Sequence, residues 1–246
     1  MGDTKTNSKG AVLDVSDYVH LHNHTHHSLL DGMTKIPNLV ARIKELGMHS
    51  VAITDHGTLS GAIDFYKAAK DGDIKPVIGM EAYVAARSHT DRDPQKDKAR
   101  YHLIILAMND KGYKNLIQLS TIANLKGFYY KPRIDHELLV KYGEGLIILS
   151  GCASGEIGEQ LRTDNYQEAK KIASWYKSTF GDRYYLEMQD HGHPDAPSKW
   201  DVQVKINGHL EKLAKELDIP TVVTSDAHYL MHEERDAHEI LLCVGT

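Results

Sequence analysis

The sequence predicts an α/β fold in which short strands and amphipathic helices alternate along one chain. Seven apolar runs rich in β-branched residues are separated by segments with the apolar spacing of helices. Motifs that combine histidine with acidic residues follow several of these runs, and parallel barrels carry their chemistry on the loops after the strands. Because repeated strand–helix units close on themselves, we expect a distorted, TIM-like (β/α)7 barrel, one strand short of the usual eight, with a metal cluster at the C-terminal ends of its strands.

The predicted strands are apolar runs that end at polar or turn-forming residues. In chain order they cover residues 18–21, 50–54, 76–84, 103–107, 146–149, 184–187 and 221–224. The predicted helices lie between them and cover residues 36–46, 62–70, 113–125, 167–179 and 202–217, with one more at 233–244. The helix at 202–217 stops before Pro220, because the residue that precedes a proline disfavours the helical conformation.

The remaining segments lack periodicity. We expect residues 1–16 to be a disordered lead-in, residues 17–246 to form one domain, and the charged stretch 87–100 to be a solvated loop. The last residues resemble the cut end of a domain from a longer protein, or a natural fragment.

Composition narrows the class of protein. A chain of 246 residues that is 41% hydrophobic and 26% charged is long enough for a full core. The two cysteines, Cys152 and Cys243, offer no disulfide framework, and no signal peptide or apolar run of membrane length is present, so we expect a cytoplasmic protein without a membrane partner. A net charge of −5 argues against unaided nucleic-acid binding, since that affinity depends on phosphate neutralisation. Metals or a partner would have to supply the positive charge.

Two pairs of candidate ligands share one geometry. His22 and His24 follow the first predicted strand, and Asp226 and His228 follow the last one. Alternate residues of a strand point to the same face, so each pair presents both side chains in one direction. Imidazole and carboxylate groups that converge at a strand end are typical ligands of zinc and similar metals.

Other candidates are individually weaker. His56 follows the second strand, beside Asp55, a carboxylate placed to orient an imidazole. Glu81 lies inside an apolar strand, where a carboxylate is costly unless a cation pairs with it. Position alone leaves two readings open for His102, a ligand or a satisfied core histidine, and for Cys152, a ligand or a small buried hydrophobe. Asp31 alone would be a turn residue before glycine.

The motifs LHNHTxxSLLDG, AITDHG, GMEAYV, HLIILA, LSGCASGE and TSDAHYL resemble the PHP (polymerase and histidinol phosphatase) domain, in the version found at the N-terminus of bacterial replicative DNA polymerase III alpha subunits. The resemblance runs from Tyr18 to the end of the chain and includes the stretches GFYYKPRIDHELL and HEERDAHEILLCVGT. It implies the PHP fold and up to three metal ions held by nine ligands. These would be His22, His24, Asp31, His56, Glu81, His102, Cys152, Asp226 and His228.

The same resemblance implies a division of the ligands among three ions. One ion would be held by His22, His24, Glu81 and Asp226, a second by Glu81, His102 and Cys152, and a third by Asp31, His56 and His228. Some members of the family have lost ligands and keep the domain only as structure, but all nine positions here carry a residue able to bind a metal. The resemblance thereby favours ligation by His102 and Cys152.

Clustered divalent ions suit hydrolysis of a phosphoester, because they lower the pKa of a bound water and stabilise the attacking and leaving oxygens. We expect two or three ions of zinc, manganese or iron, between which this ligand set does not choose. The residues assigned to catalysis are Asp226, His228, Glu81 and His56.

Candidate substrate contacts are basic and aromatic side chains near the expected barrel mouth. They are Lys131, Arg133 and Tyr130, with Tyr129 as a further stacking face, and His191 and His193 in the loop after the sixth strand. The alternative for the YYKPRI segment is a packed loop with solvated basic tips. His26 and His27 are expected to line the mouth. The other histidines, expected to be solvated, are His49, His89, His136, His209, His232 and His238.

Three functions fit these observations. The first is a metal-dependent phosphoesterase, in the polymerase context a 3′–5′ exonuclease that acts on single-stranded or frayed DNA and has the rest of a polymerase chain as its partner. The second is a small-molecule phosphatase of the histidinol-phosphate type. The third is a structural metal-binding module that docks a proofreading subunit. The intact ligand set favours catalysis over the third, and the polymerase-like flanking segments favour the first over the second.

Overall fold

The structure, a computed structural model, describes residues 17–191 and 197–244. Its centre is a curled sheet of eight strands. The strands are β1 (Ser50–Ile53), β2 (Lys75–Ala85), β3 (Arg100–Ala107), β4 (Phe128–Tyr129), β5 (Lys131–Ile134), β6 (Leu146–Leu149), β7 (Tyr184–Gln189) and β8 (Thr221–Thr224). Their order is β4-β5-β2-β3-β6-β7-β8, and β1 pairs with the start of β2. The predicted α/β class is therefore confirmed.

The expectation that every strand is parallel is wrong for β3. This strand runs antiparallel to both of its neighbours, β2 and β6. The short β4 is also antiparallel to β5, whereas the pairs β1–β2, β2–β5, β6–β7 and β7–β8 are parallel. A parallel connection needs a crossover, usually a helix, but residues 86–99 between β2 and β3 form a loop. The reversal brings the start of β3 beside the ends of the parallel strands.

The predicted first strand, 18–21, is not a regular strand. Its segment makes isolated bridges on both sides, from His20 to Val51 and from Asn23 to Ala227. The backbone N–H of His24 donates to the carbonyl of Ala227 at 2.8 Å. Residues 20–24 therefore contact both β1 and the chain after β8. The complete parallel seven-stranded barrel of the sequence prediction is not confirmed.

Eight helices flank the sheet in the described ranges. They are α1 (Ile36–Glu45), α2 (Ala62–Asp71), α3 (Asp110–Leu125), α4 (His136–Tyr142), α5 (Glu156–Arg162), α6 (Tyr166–Phe180), α7 (Pro197–Leu217) and α8 (Arg235–Val244). All six predicted helices are present. The sequence analysis missed α4, α5 and the short strands β4 and β5. Asp135 begins α4 by accepting a hydrogen bond from the backbone N–H of Leu138 at 3.0 Å.

The apolar core consists of a small cluster on strands β1, β3 and β6 and two bigger clusters that join the helices to the sheet. The larger of these two packs helices α3 to α7 on the sheet and includes Leu116, Leu161 and Leu210. The other lies under α1 and α2 and includes Leu39 and Phe65. No helix in the described ranges has the length and apolar character needed to cross a membrane.

The charged loop before β3 is mostly exposed, as predicted, but it is anchored at one buried residue. Asp97 is buried, and its carboxylate accepts two hydrogen bonds from the guanidinium of Arg87, at 2.9 and 2.7 Å. The predicted lead-in, residues 1–16, lies outside the described residues.

Candidate metal centre

The nine predicted ligands form one continuous network of close contacts. His56 follows β1, Glu81 lies within β2, and His102 lies near the start of β3. The other six come from the segment before α1, the turn after β6 and the chain after β8, and they are His22, His24, Asp31, Cys152, Asp226 and His228. The antiparallel direction of β3 explains the position of His102, which the sequence placed at the beginning of a strand instead of its end.

The buried base of the network contains two histidines and two carboxylates. The Nε2 atom of His22 lies 3.1 Å from Oδ1 of Asp226 and 3.2 Å from Nε2 of His24. His24 Nε2 lies 3.2 Å from Oε2 of Glu81 and 3.3 Å from the same Asp226 oxygen. His22, His24 and Asp226 can together hold one metal ion.

Glu81 connects this base with two further ligands. Its Oε1 atom lies 2.9 Å from Nδ1 of His102, and its Oε2 atom lies 2.7 Å from Nδ1 of His56. The thiol Sγ of Cys152 is 3.5 Å from His102 Nδ1 and 4.0 Å from Glu81 Oε1. His56, Glu81 and His102 form a second group able to hold an ion.

The solvent-facing side of the network is built on Asp31. Its Oδ2 atom lies 2.7 Å from Nε2 of His56 and 3.2 Å from Nε2 of His228. His24, His56 and His228 form a third group able to hold an ion. Neighbouring groups share His24 and His56, whereas the division implied by the resemblance shares only Glu81, so the three geometric groups do not coincide with that division.

The ligand atoms fit a cation because several of them are buried without a hydrogen-bond partner. Within the described residues, His56 Nδ1, Glu81 Oε2 and Asp226 Oδ1 have no such partner. His56 Nδ1 and Glu81 Oε2 lie close together but not in hydrogen-bonding alignment. Buried polar atoms left unpaired are costly, and metal ions held by the groups to which these residues belong would satisfy them.

The electrostatics of the network also call for positive charge. Burial alone would raise the pKa of Glu81, but His102 and His22 lower it well below its ordinary value. Burial alone would lower the pKa of His22, but Asp226, Glu187 and Glu81 raise it well above its ordinary value. The pKa of His56 rises to about 9, because the hydrogen bond to Asp31 and the negative charges of Asp31 and Glu81 outweigh the effect of burial. The carboxylates thus favour a cation, either a proton on imidazole or a metal ion.

Two supporting groups orient the buried histidines. His24 Nδ1 contacts the hydroxyl of Ser28 at 2.9 Å, and that hydroxyl donates to Asp55 Oδ1 at 2.9 Å. Asp55 therefore orients an imidazole, as its position suggested, but through a serine. His22 Nδ1 contacts Glu187 Oε1 at 2.6 Å. The sequence analysis missed Glu187, and its one signal was a carboxylate in an otherwise apolar strand, as with Glu81.

A cavity of about 640 Å³ opens beside Asp31 and His56. Lys131 and Tyr83 also line it, and the Lys131 ammonium lies 5.6 Å from the centre of the Tyr83 ring. Lys131 therefore lines the same cavity as two of the candidate ligands. His27 lines the same cavity, as expected for a residue at the mouth.

The assignment of Arg133 to substrate binding requires correction. Its side chain is 0% exposed, and its guanidinium donates to the backbone carbonyls of Gly127, His89, Asp91 and Asp97. The hydrogen bonds of its guanidinium thus go to backbone carbonyls of the protein. Arg133 therefore holds the loop before β3 against β5.

The remaining substrate candidates stay predictions. Tyr130 is 66% exposed and its ring contacts that of Tyr129. His191 is exposed, and His193 lies outside the described residues.

Three histidines expected to be solvated have specific partners. His238 Nε2 lies 2.9 Å from the carbonyl oxygen of the candidate ligand Asp31. His89 pairs with Asp135, and His136 stacks on Trp175. These three histidines therefore make specific structural contacts and are not simply solvated.

The fold and the site define an α/β protein that gathers nine candidate metal ligands at one side of a curled sheet. Residues 20–191 match the family model of the PHP domain, and the chain belongs to this family. The resemblance found in the sequence is thereby confirmed.

The curated relatives are much longer proteins. The chain is 44% identical over 232 residues to the DNA polymerase III subunit alpha of Borreliella burgdorferi, covering 94% of this chain and 20% of that protein. It is 46% identical over 234 residues to the DNA polymerase III subunit alpha of Aquifex aeolicus, covering 93% and 20% respectively. The chain therefore spans about a fifth of the length of these relatives.

Among solved structures, the fold is similar to that of an amidohydrolase from Chromobacterium violaceum with bound sulfate and no metal. The TM-score is 0.53 at 13% identity, covering 91% of this chain and 96% of the other. At this level of identity the likeness supports the fold alone.

Proposed function

We propose that this chain is a metal-dependent phosphoesterase domain of a DNA polymerase III alpha-type protein. The observation that carries the proposal is the set of buried, unpaired atoms of His56, Glu81 and Asp226 at the centre of the nine-residue network. Those nine residues would hold two or three ions of zinc, manganese or iron. Divalent ions supply the positive charge that lowers the pKa of water and neutralises phosphate oxygens during hydrolysis.

The exposure of the ligands indicates the direction from which substrate approaches. The side chains of Asp31, His56 and His228 are 27%, 15% and 19% exposed, whereas Glu81 is 1% exposed. Asp31 and His56 line the large cavity, so a phosphoester would approach from there. Glu81, His56, Asp226 and His228 hold the reacting centre, and Lys131 binds a substrate phosphate through a charge-assisted hydrogen bond.

In the polymerase context we propose a 3′–5′ exonuclease that acts on single-stranded or frayed DNA. The named relatives are polymerase alpha subunits, and the remainder of such a chain is the proposed partner that presents the strand. A net charge of −5 leaves an isolated domain little to grip a duplex.

The first prediction is that the purified domain binds two or three divalent ions per chain and hydrolyses phosphodiesters. The nine candidate ligands provide the binding energy, because three of their buried atoms have no hydrogen-bond partner within the described residues. Elemental analysis of protein reloaded with zinc or manganese measures the content, and turnover is compared on bis(4-nitrophenyl) phosphate and 4-nitrophenyl phosphate. Faster turnover of the monoester would favour a small-molecule phosphatase. Bound metal without turnover would favour a structural module, and fewer than one ion per chain would contradict the proposal.

A second prediction concerns Lys131. Replacing it with methionine should raise KM for a short single-stranded oligonucleotide about tenfold with little change in kcat, since one charge-assisted hydrogen bond contributes about 1.5 kcal/mol. Lys126→Met is the matched control, because Lys126 is exposed and does not line the cavity. Equal KM values for the two variants would exclude Lys131 from substrate binding.

A further inference from the structure

Glu187 on β7 is a fully buried carboxylate with four close partners. Its Oε1 atom lies 2.6 Å from Nδ1 of His22, accepts from the hydroxyl of Thr224 at 2.6 Å, and accepts from Nε2 of Gln189 at 3.3 Å. Its Oε2 atom accepts from the backbone N–H of Gly151 at 3.1 Å. Burying a carboxylate costs free energy. The four polar partners that compensate this cost at Glu187 therefore indicate a specific role.

These contacts reach three segments that carry candidate ligands. His22 is contacted directly, and Gly151 immediately precedes Cys152. Gln189 also donates to Oδ2 of Asp226 at 3.3 Å, which connects Glu187 to a third ligand.

The backbone turn at Gly151 is closely packed against the backbone of His102. The φ of Gly151 is +79°, and a Cβ atom there would lie 2.5 Å from the carbonyl oxygen of His102. The hydrogen bond from Gly151 N–H to Glu187 therefore fixes a turn whose position determines that of the Cys152 thiol.

The contact with His22 also selects a tautomer. A carboxylate can only accept, so the proton of a neutral His22 ring lies on Nδ1 and the lone pair on Nε2. That Nε2 atom lies 3.1 Å from Asp226 Oδ1, inside the candidate metal centre. Histidines that bind metals typically donate their other N–H to a carboxylate in this way.

We infer that Glu187 is a positioning residue that fixes the metal-binding tautomer of His22 and the turn that carries Cys152. It thereby connects two parts of the candidate metal centre, the one that contains His22 and Asp226 and the one that contains His102 and Cys152. The inference rests on the proposed metal centre.

The substitution Glu187→Gln tests this role. In either orientation of the glutamine amide, its NH2 group faces a hydrogen-bond donor where the carboxylate had an acceptor oxygen. With NH2 in the place of Oε1, the amide faces the Nδ1–H of His22 and favours the tautomer whose proton lies on Nε2. With NH2 in the place of Oε2, it faces the N–H of Gly151 and displaces the turn before Cys152. Each orientation impairs one of the two connected parts of the candidate metal centre.

We expect zinc affinity, measured by competition with a chelator, to fall about 10–100-fold in Glu187→Gln. Cobalt-loaded protein provides a second readout, the thiolate-to-cobalt charge-transfer band from Cys152, which should weaken or shift. Glu156→Gln is the matched control. Glu156 is another mostly buried carboxylate, but its partners are Tyr176 at 2.6 Å and His136 at 3.0 Å, neither of them a candidate ligand.

The outcomes separate this inference from the proposed function. Zinc affinity and a cobalt band equal to those of the unsubstituted protein in Glu187→Gln, or an equal loss in Glu156→Gln, would overturn the positioning role and leave the proposed function standing. Absence of zinc binding by the unsubstituted protein would overturn both.

If Glu187→Gln fails to fold, the zinc-loaded unsubstituted protein decides the question. Nitrogen-detected NMR should find the proton of His22 on Nδ1, and a proton on Nε2 would overturn the inference.

Discussion

Replacing Asp226 with asparagine should lower phosphodiester turnover at least about 100–1,000-fold while the protein stays folded. Asp226 Oδ1 lies 3.1 Å from His22 Nε2 and 3.3 Å from His24 Nε2, buried without a hydrogen-bond partner in the described part of the chain. The neighbouring histidines hold the pKa of its carboxyl well below the ordinary value, so it is ionised at neutral pH. The amide removes this charge from the candidate metal centre, where each preorganised electrostatic group has a large effect on rate.

The backbone at Asp226 makes asparagine a mild substitution. Its φ is +51°, in the left-handed region that asparagine tolerates about as well as aspartate. Asp218→Asn is the matched control, because Asp218 has the same φ of +51° but is exposed and away from the ligand network.

Turnover of bis(4-nitrophenyl) phosphate, metal content and the thermal midpoint should be measured for both variants. We expect the control to match the unsubstituted protein in all three. Unchanged turnover in Asp226→Asn would place any activity elsewhere in the molecule.

Much of the candidate site was predictable because its signals are local. His22 and His24, or Asp226 and His228, are two residues apart after an apolar run, and the spacing itself indicates convergence. Glu81 was identified by the cost of placing a carboxylate in a buried strand, and the structure confirms that it is buried.

Strand direction was harder to predict, because it depends on connections instead of composition. The run that contains His102 has the same composition whichever way it pairs, and only the loop before it, which lacks a crossover helix, distinguishes the two. The family resemblance identified His102 as a ligand, whereas its position in a parallel barrel would have put it at the wrong end.

Burial of polar side chains was the least predictable feature. Arg133 and Lys131 are two residues apart in one short strand, where alternation predicts the same face for both, yet Arg133 is buried beneath the loop before β3 and Lys131 lines the cavity. The sequence treated them as equivalent because β4 and β5 are too short to show a period. Glu187 was missed because its partners are distant in the chain, with Thr224 and Gly151 each about 37 positions away.

Replacing Arg133 with methionine should lower the free energy of unfolding by about 3–5 kcal/mol, at the upper end for a single substitution. Methionine fills much of the same volume but cannot donate. The carbonyls of Asp91 and His89, which accept from the guanidinium at 2.7 and 3.1 Å, would lose their donor, and the carbonyl of Gly127 would keep only the backbone N–H of residue 133 at 3.3 Å. Each buried acceptor left unpaired costs about 1–3 kcal/mol, partly relieved by local rearrangement.

Arg92→Met is the matched control for this effect. Arg92 also donates to backbone carbonyls, of Lys126 at 3.1 Å and of Phe128 at 3.4 Å, but it is exposed, so water replaces the lost donors and we expect a change below about 1 kcal/mol. Urea unfolding followed by circular dichroism measures both variants, and KM for an oligonucleotide is measured wherever the variant remains folded. If Arg133→Met were as stable as the control but had a raised KM, the guanidinium would contact substrate, and its burial beneath the loop before β3 would be incorrect.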